Sequence, residues 1–244
     1  MSYIVVIPAR YKSSRLMGKP LIDLNGVPMI IRTYRQCLKT VTSDRIYIAT
    51  DDDRINKICL KEGAQVIMTS SNCLTGTDRV AEVSEKINAE TYINVQGDEP
   101  IFNPEDLALL IEEIKKYPND IITGYCEIDN KNVHKDSNVP KVVIRSDGRL
   151  LYASRAPIPS NKLNTFQKGW RQVCAYAFPK PTLKIFSSIK KKTELEEIED
   201  IEYLRFLELG LEVRTLKMSK MSLAVDTPED VIEVKKLISK LDLN

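Results

Sequence analysis

Residues 3–20 read YIVVIPARYKSSRLMGKP, and the fold of the whole chain turns on that stretch. Tyr3 to Ile7 is an unbroken, β-branched-rich apolar run with the length of a buried strand. Pro8 to Pro20 follows at once, carrying Arg10, Lys12, Arg15 and Lys19 among Ser13, Ser14 and Gly18, with no acidic residue. Cations crowded on one short loop repel one another unless an anion lies among them. The small residues let backbone N–H groups approach phosphate oxygens, a concave nest with positive partial charge. The stretch lacks the Gly-x-x-x-x-Gly-Lys-Ser/Thr spacing of a P-loop, and the Gly-x-Gly-x-x-Gly turn of a nicotinamide-binding unit. A nucleotide triphosphate is the polyanion this reading favours; an exposed basic turn with solvated side chains would need none.

Outward from the loop, the N-terminal half alternates. Apolar spacing predicts helices over 29–38, 52–62, 77–87 and 104–116, and strands over 45–50, 64–68, 92–95 and 121–125. Strands alternating with helices of about 10–15 residues imply βαβ units and a mostly parallel sheet. Ligands of such sheets lie beyond the carboxyl ends of the strands, the edge from which the basic loop departs. From about residue 140 the rhythm changes. Segments 141–144 and 150–154 flank Arg145-Ser-Asp-Gly148, a hairpin signal. Residues 160–169 are polar, and a strand over 172–178, helices over 181–189 and 199–209, strands over 212–217 and 223–225 and a closing helix over 228–241 complete the expectation. The economical reading is one domain over 1–244 with a β-rich arm at roughly 140–217.

Composition narrows the function. A formal net charge of +2 on 244 residues gives no broad basic face for nucleic acid. No apolar segment reaches the roughly 20 residues that span a bilayer, and the N-terminal run is too short for a signal-peptide core. Five cysteines, odd in number and without a Cys-x-x-Cys pair, point to reduced thiols in a cytoplasm rather than disulfides or zinc. His134 is the single histidine and is expected on a solvated surface, so chemistry that needs several histidines is excluded.

Three further motifs carry chemistry. Val95-Gln-Gly-Asp-Glu-Pro100 follows a predicted strand and puts Asp98 and Glu99 at the edge of the basic loop. Carboxylates facing a triphosphate call for a cation between them, and magnesium suits one or two carboxylates with phosphate oxygens and water; an ordinary polar turn would also account for them. Val225-Asp-Thr-Pro-Glu-Asp230 opens a helix: Glu229 and Asp230 suit capping, whereas Asp226 could be aimed at the same edge as Asp98. Leu74-Thr-Gly-Thr-Asp-Arg79 is a small-residue turn into a helix whose backbone could approach a base or ribose, or simply a helix cap at Thr77.

In this order and spacing, PARYKSSRLMGKPL, TGTDR, NVQGDEP, PKVVI, YASRAPIP and VDTPED resemble the 3-deoxy-manno-octulosonate cytidylyltransferases (CMP-Kdo synthetases) over essentially the whole chain. The resemblance implies a Rossmann-like α/β nucleotidyltransferase fold with a dimerisation arm, in a magnesium-dependent cytoplasmic homodimer. It implies the reaction of CTP with a 3-deoxy-ulosonic acid, giving a CMP-sugar and pyrophosphate. Arg10, Arg15 and Lys19 match the residues that grip the triphosphate, and Asp98 and Asp226 the metal ligands. Pro8, Ala9, Thr75, Gly76, Arg79 and Gln96 match the cytidine pocket, and Arg155 a basic residue of the sugar site. Two departures fall in the sugar half. Where the family has His-x-Gly-x-Tyr this chain has Gln172-Val-Cys-Ala-Tyr176, and where it has Leu-Glu-Gln-Leu-Arg this chain has Ile201-Glu-Tyr-Leu-Arg205. With Gln172, Tyr176, Glu202 and Tyr203 in the sugar site, the resemblance implies an intact nucleotide half and an altered acceptor half. The acceptor would be Kdo or a variant such as 8-amino-Kdo or a nonulosonic acid; a nucleotide-binding protein without catalysis is the reading from another class.

Overall fold

A computed structural model describes residues 1–12 and 16–241; Arg15 lies outside the described residues. The N-terminal run forms β1 (Tyr3–Ala9), buried from Ile4 onward. Val5, Ile7 and Ala9 enter one core and Ile4 and Val6 another. A strand covered on both faces needs continuous rather than alternating apolar residues, which is why YIVVI has no polar interruption.

After the basic loop come β2 (Asp23–Leu24) and β3 (Val27–Pro28), joined through Asn25 and Gly26, both at positive φ. Then follow α1 (Met29–Leu38), β4 (Ile46–Thr50), α2 (Asp53–Lys61), β5 (Gln65–Met68), α3 (Gly76–Lys86), β6 (Thr91–Val95), α4 (Pro104–Lys116), β7 (Ile121–Glu127) and α5 (Lys131–Lys135). The remainder is β8 (Lys141–Ile144), β9 (Leu150–Ser154), β10 (Trp170–Pro179), α6 (Lys180–Ser188), α7 (Glu194–Glu199), α8 (Leu204–Glu208), β11 (Val213–Lys217) and α9 (Pro228–Lys240).

Among the described residues the main sheet runs β11-β7-β10-β6-β1-β4-β5, with the β8–β9 hairpin attached through β10. Pairings β1–β4, β1–β6, β4–β5 and β7–β11 are parallel, while β10 lies antiparallel between β6 and β7. Helices α1, α2 and α4 pack one face through Ile30, Tyr34, Ile55, Leu107 and Ile114, and α3, α6 and α8 the other through Val80, Val83, Phe186, Leu204 and Phe206. This is the expected mostly parallel α/β layer arrangement. The chain passes from β1 outward to β4 and β5, then returns to β6 on the other side of β1. The crevice at the carboxyl ends of β1 and β6 is therefore the topological switch point, where a ligand is expected.

Four expectations need correction. The helix expected over 199–209 forms only as α8, Leu204–Glu208; α7 ends at Glu199, and the chain breaks at Asp200, which takes φ 50°. Residues 223–225 form no strand; that segment crosses the sheet edge with the Val225 N–H donating to the Asp98 carbonyl at 2.9 Å. His134 is buried, not solvated, with its Nε2 3.2 Å from the Ile158 carbonyl and its ring 4.9 Å from Phe166. The short α5, capped by Asn130, escaped the reading because five residues carry too little periodicity. Within the region expected as an arm, β10 and β11 belong to the main sheet and only β8 and β9 leave it.

All five cysteines are free thiols, and burial pushes those of Cys37 and Cys59 up to about 12.

Candidate active site

The loops leaving β1 and β6 meet at the switch point because Gly97 has no side chain. A Cβ there would lie 2.7 Å from the Pro8 carbonyl oxygen and 3.1 Å from Ile30 Cδ1. Thr33 Oγ1 donates to the Gly97 carbonyl at 3.2 Å and fixes the turn from below. The base of the basic loop is closed by Gly18, at φ +70°, whose N–H donates to the Tyr11 carbonyl at 2.9 Å. The Tyr11 ring lies against Gly18, with 3.1 Å to a Cβ built there, and the Arg54 guanidinium stacks 3.3 Å from that ring's centre. Asp52, which caps α2, holds Arg54 by two hydrogen bonds of 2.9 and 2.6 Å. The loop thus returns at a defined place, and Lys19 follows.

Lys19 Nζ lies 2.5 Å from Asp98 Oδ2 and 3.1 Å from Asp226 Oδ1. Three groups distant in sequence, from the loops after β1 and β6 and from the turn before α9, converge on one point. Burial works to lower the Lys19 pKa, but attraction and hydrogen bonds to the two carboxylates outweigh it, and the net shift is upward. Lys19 is a cation seated between two hard oxygen donors, so the pair fits a small divalent cation by its donor chemistry. No group of three or more His, Cys, Asp or Glu side chains that could hold a metal ion occurs among the described residues; one or two carboxylates suffice when phosphate oxygens and water complete the shell.

Asp226 reaches this point on a strap of irregular chain, and several buried groups hold the strap down. Asp106 accepts from Ser219 N at 2.9 Å and Ser219 Oγ at 2.6 Å. Arg171 Nη2 donates to the carbonyls of Lys220 at 3.2 Å and Ser222 at 3.1 Å. The Ser222 hydroxyl donates to Glu99, whose carboxyl burial pushes up to about 7 against the opposing pull of that hydrogen bond. Asp98 and Glu99, neighbours in sequence, therefore divide the work: one faces the crevice and the other is buried under the strap. Asp106, Arg171 and Ser222 had no sequence signal, since each acts on a partner far along the chain.

The Thr75–Gly76 turn opens α3 with a capping box, Thr75 Oγ1 accepting from Asp78 N at 3.2 Å and Asp78 Oδ2 from Thr75 N at 3.0 Å. The Gln96 amide packs on Gly76, with 3.1 Å to a Cβ built there. Thr75, Gly76 and Gln96 are thus together, and Pro8 and Ala9 end β1 beside Gly97. Arg79 points elsewhere. It is 3% exposed, contacts the Thr69 hydroxyl and has Nη2 3.6 Å from Asp51, bracing the loops after β4 and β5. Arg10 is exposed, and its field, behind the larger effect of Lys192, helps hold the Asp200 carboxyl below its usual range.

Among the residues expected at the sugar, Gln172 Nε2 donates to Tyr176 Oη, and the Tyr176 and Tyr203 rings stand 6.0 Å apart. Gln172 Oε1 and Tyr203 Oη are buried without a hydrogen-bond partner among the described residues. Glu202 turns to the start of α3 and accepts from Gly76 N at 3.1 Å and Thr77 N at 2.8 Å. Arg155 is committed to backbone: Nε donates to the Glu199 carbonyl at 2.5 Å, Nη1 to Ser137 and Nη2 to Asp200 at 3.0 Å each.

Residues 4–217 match the family model described as cytidylyltransferase. A 3-deoxy-manno-octulosonate cytidylyltransferase of Chlorobium phaeobacteroides is 38% identical over 242 residues, 98% of each chain. The Escherichia coli protein of that name is 34% identical over 237 residues, 97% of this chain and 96% of its own. The solved structure of CMP:2-keto-3-deoxy-manno-octonic acid synthetase complexed with CTP superposes with a TM-score of 0.91 at 33% identity, covering 99% of this chain and 100% of that one. With its cation between two carboxylates at a parallel-sheet switch point, the molecule is a nucleotidyltransferase of the cytidylyltransferase class. Within that class, the chain belongs to the 3-deoxy-manno-octulosonate cytidylyltransferase family.

Proposed function

We propose that the protein activates 3-deoxy-manno-octulosonate with CTP, releasing pyrophosphate and giving the CMP-sugar used for bacterial surface polysaccharide. The observation that carries this reading is the convergence of Lys19, Asp98 and Asp226 on one point of the β1–β6 crevice. The sugar hydroxyl attacks the α-phosphorus as the bond to pyrophosphate breaks, and the protein contributes positioning and charge neutralisation. Lys19 neutralises charge at the α-phosphate, with Arg10 and Arg15 on the outer phosphates. Thr75, Gly76 and Gln96 receive the cytidine. Asp98 and Asp226 would hold magnesium, which neutralises phosphate charge and makes a bound hydroxyl more acidic. Nothing in this scheme requires a histidine base. We place the enzyme in the cytoplasm as a homodimer, with the β8–β9 hairpin, where Leu151 is 54% exposed, at the subunit contact.

One observation favours a refinement of the acceptor. Gln172 Oε1 and Tyr203 Oη are buried and unpartnered among the described residues, and a sugar group that hydrogen-bonds to them would relieve the cost of their burial. A ulosonic acid altered at its tail, such as 8-amino-Kdo, is the substrate this favours over plain Kdo. Pyrophosphate release is to be measured with Kdo, 8-amino-Kdo and a sialic-acid-type acceptor, on protein whose solution mass is expected at twice 27.8 kDa. CTP alone among the nucleotide triphosphates is expected to support turnover, with 8-amino-Kdo the best acceptor. Faster turnover of plain Kdo removes the refinement, and no release with any acceptor removes the transferase reading.

A further inference from the structure

We propose that Glu202 and Arg205 are positioning residues for the nucleotide half of the site, shaping the Thr75–Gly76 turn from the acceptor side of the molecule. The inference rests on the reading that cytidine lies against Thr75, Gly76 and Gln96.

Both side chains leave one short segment, three residues apart, and both grip the first turn of α3. Glu202 takes the N–H groups of Gly76 at 3.1 Å and Thr77 at 2.8 Å, and the Thr77 hydroxyl at 2.6 Å. These amides are the end of a helix that would otherwise attract an anion. With Glu202 seated there, the triphosphate is left to the basic loop, and the turn is kept for the neutral base.

Arg205 holds the same turn one step deeper. It is fully buried, and donates to Asp78 at 2.9 and 3.3 Å and to Glu196 at 2.6 and 2.7 Å, with its guanidinium 3.8 Å from the centre of the Phe186 ring. Asp78 is the capping partner of Thr75, and Glu196 is the capping partner of Thr193. One guanidinium therefore joins the caps of α3 and α7. Tyr203, with its unpartnered hydroxyl, is carried between Glu202 and Arg205. Groups facing the acceptor and groups facing the base thus ride on one braced piece.

A role in folding alone would lower the melting temperature and leave nucleotide affinity unchanged well below it. A positioning role moves the affinity itself. Glu202→Gln is close to isosteric: one oxygen keeps Thr77, and the Gly76 N–H loses its acceptor. Calorimetric titration with CTP alone is expected to show a Kd raised about 10-fold, as for loss of one charge-assisted hydrogen bond. In assays, KM for CTP rises by a similar factor while kcat moves far less, and preference for CTP over UTP narrows. Asp78→Asn, which weakens the link to Arg205 from the other end, is expected to act in the same direction and stands in if Glu202→Gln does not fold. Gln96→Ala tests the underlying reading. If it weakens CTP while Glu202→Gln and Asp78→Asn lower only the melting temperature, the positioning role is wrong and the base site stands. If none of the three changes CTP affinity, the base site itself is misplaced.

Discussion

Lys19→Ala is expected to lower turnover at saturating CTP by about two to three orders of magnitude, the usual scale for removing one preorganised group that stabilises transition-state charge. The side chain is 16% exposed and held by two carboxylates, so its position is set before substrate arrives. Its upward pKa shift keeps it cationic through the range in which the enzyme would work. Charge accumulates on the phosphoryl group and departing pyrophosphate as the reaction proceeds, so the loss should appear in kcat as well as kcat/KM. Lys19→Arg is not expected to restore the rate, because a planar fork does not replace a compact ammonium at the α-phosphate. A variant that loses only CTP affinity, with kcat intact, would favour the non-catalytic nucleotide-binding reading.

Asp98→Asn has the second large expected effect, a fall of about three orders of magnitude in kcat, comparable to other losses of electrostatic catalysis. The substitution keeps the shape and removes the charge, and the Asp98 carbonyl remains to accept from Val225 N. Because the Asp98 side chain is 26% exposed, little change in melting temperature is expected. Loss of activity would therefore report chemistry rather than folding. Magnesium supplied above the parent's requirement should recover only part of the rate, and Asp226→Asn should behave alike. Activity as high as the parent's, at the same magnesium concentration, would remove Asp98 from the metal site.

The fold was legible where one residue type dominated a whole element. YIVVI read as a buried strand and is one covered on both faces, and the periodic stretches that became α1 and α4 had the expected limits. Legibility failed where long-range contacts override local pattern. The break at Asp200 is invisible in a chain that otherwise looks helical from 199 to 209, because Asp200 and its neighbours are held by Arg155 and Lys192. His134 looked polar from its neighbours, yet it packs between Phe166 and the Ile158 carbonyl. The site was read in the same uneven way. The charges facing the crevice, Lys19, Asp98 and Asp226, announced themselves by their motifs. Asp106, Arg171 and Ser222, which hold down the strap that carries Asp226, act on partners far along the chain, and no spacing in the sequence marks such a bond.

The most direct test is a crystal structure of the protein with CTP and magnesium. The triphosphate is expected in the β1–β6 crevice, with Lys19 Nζ within hydrogen-bond reach of it and Asp98 and Asp226 on the same metal ion. CTP bound with its phosphates at the N-terminus of α3, or away from Lys19 with the two aspartates on no common ion, would contradict that arrangement.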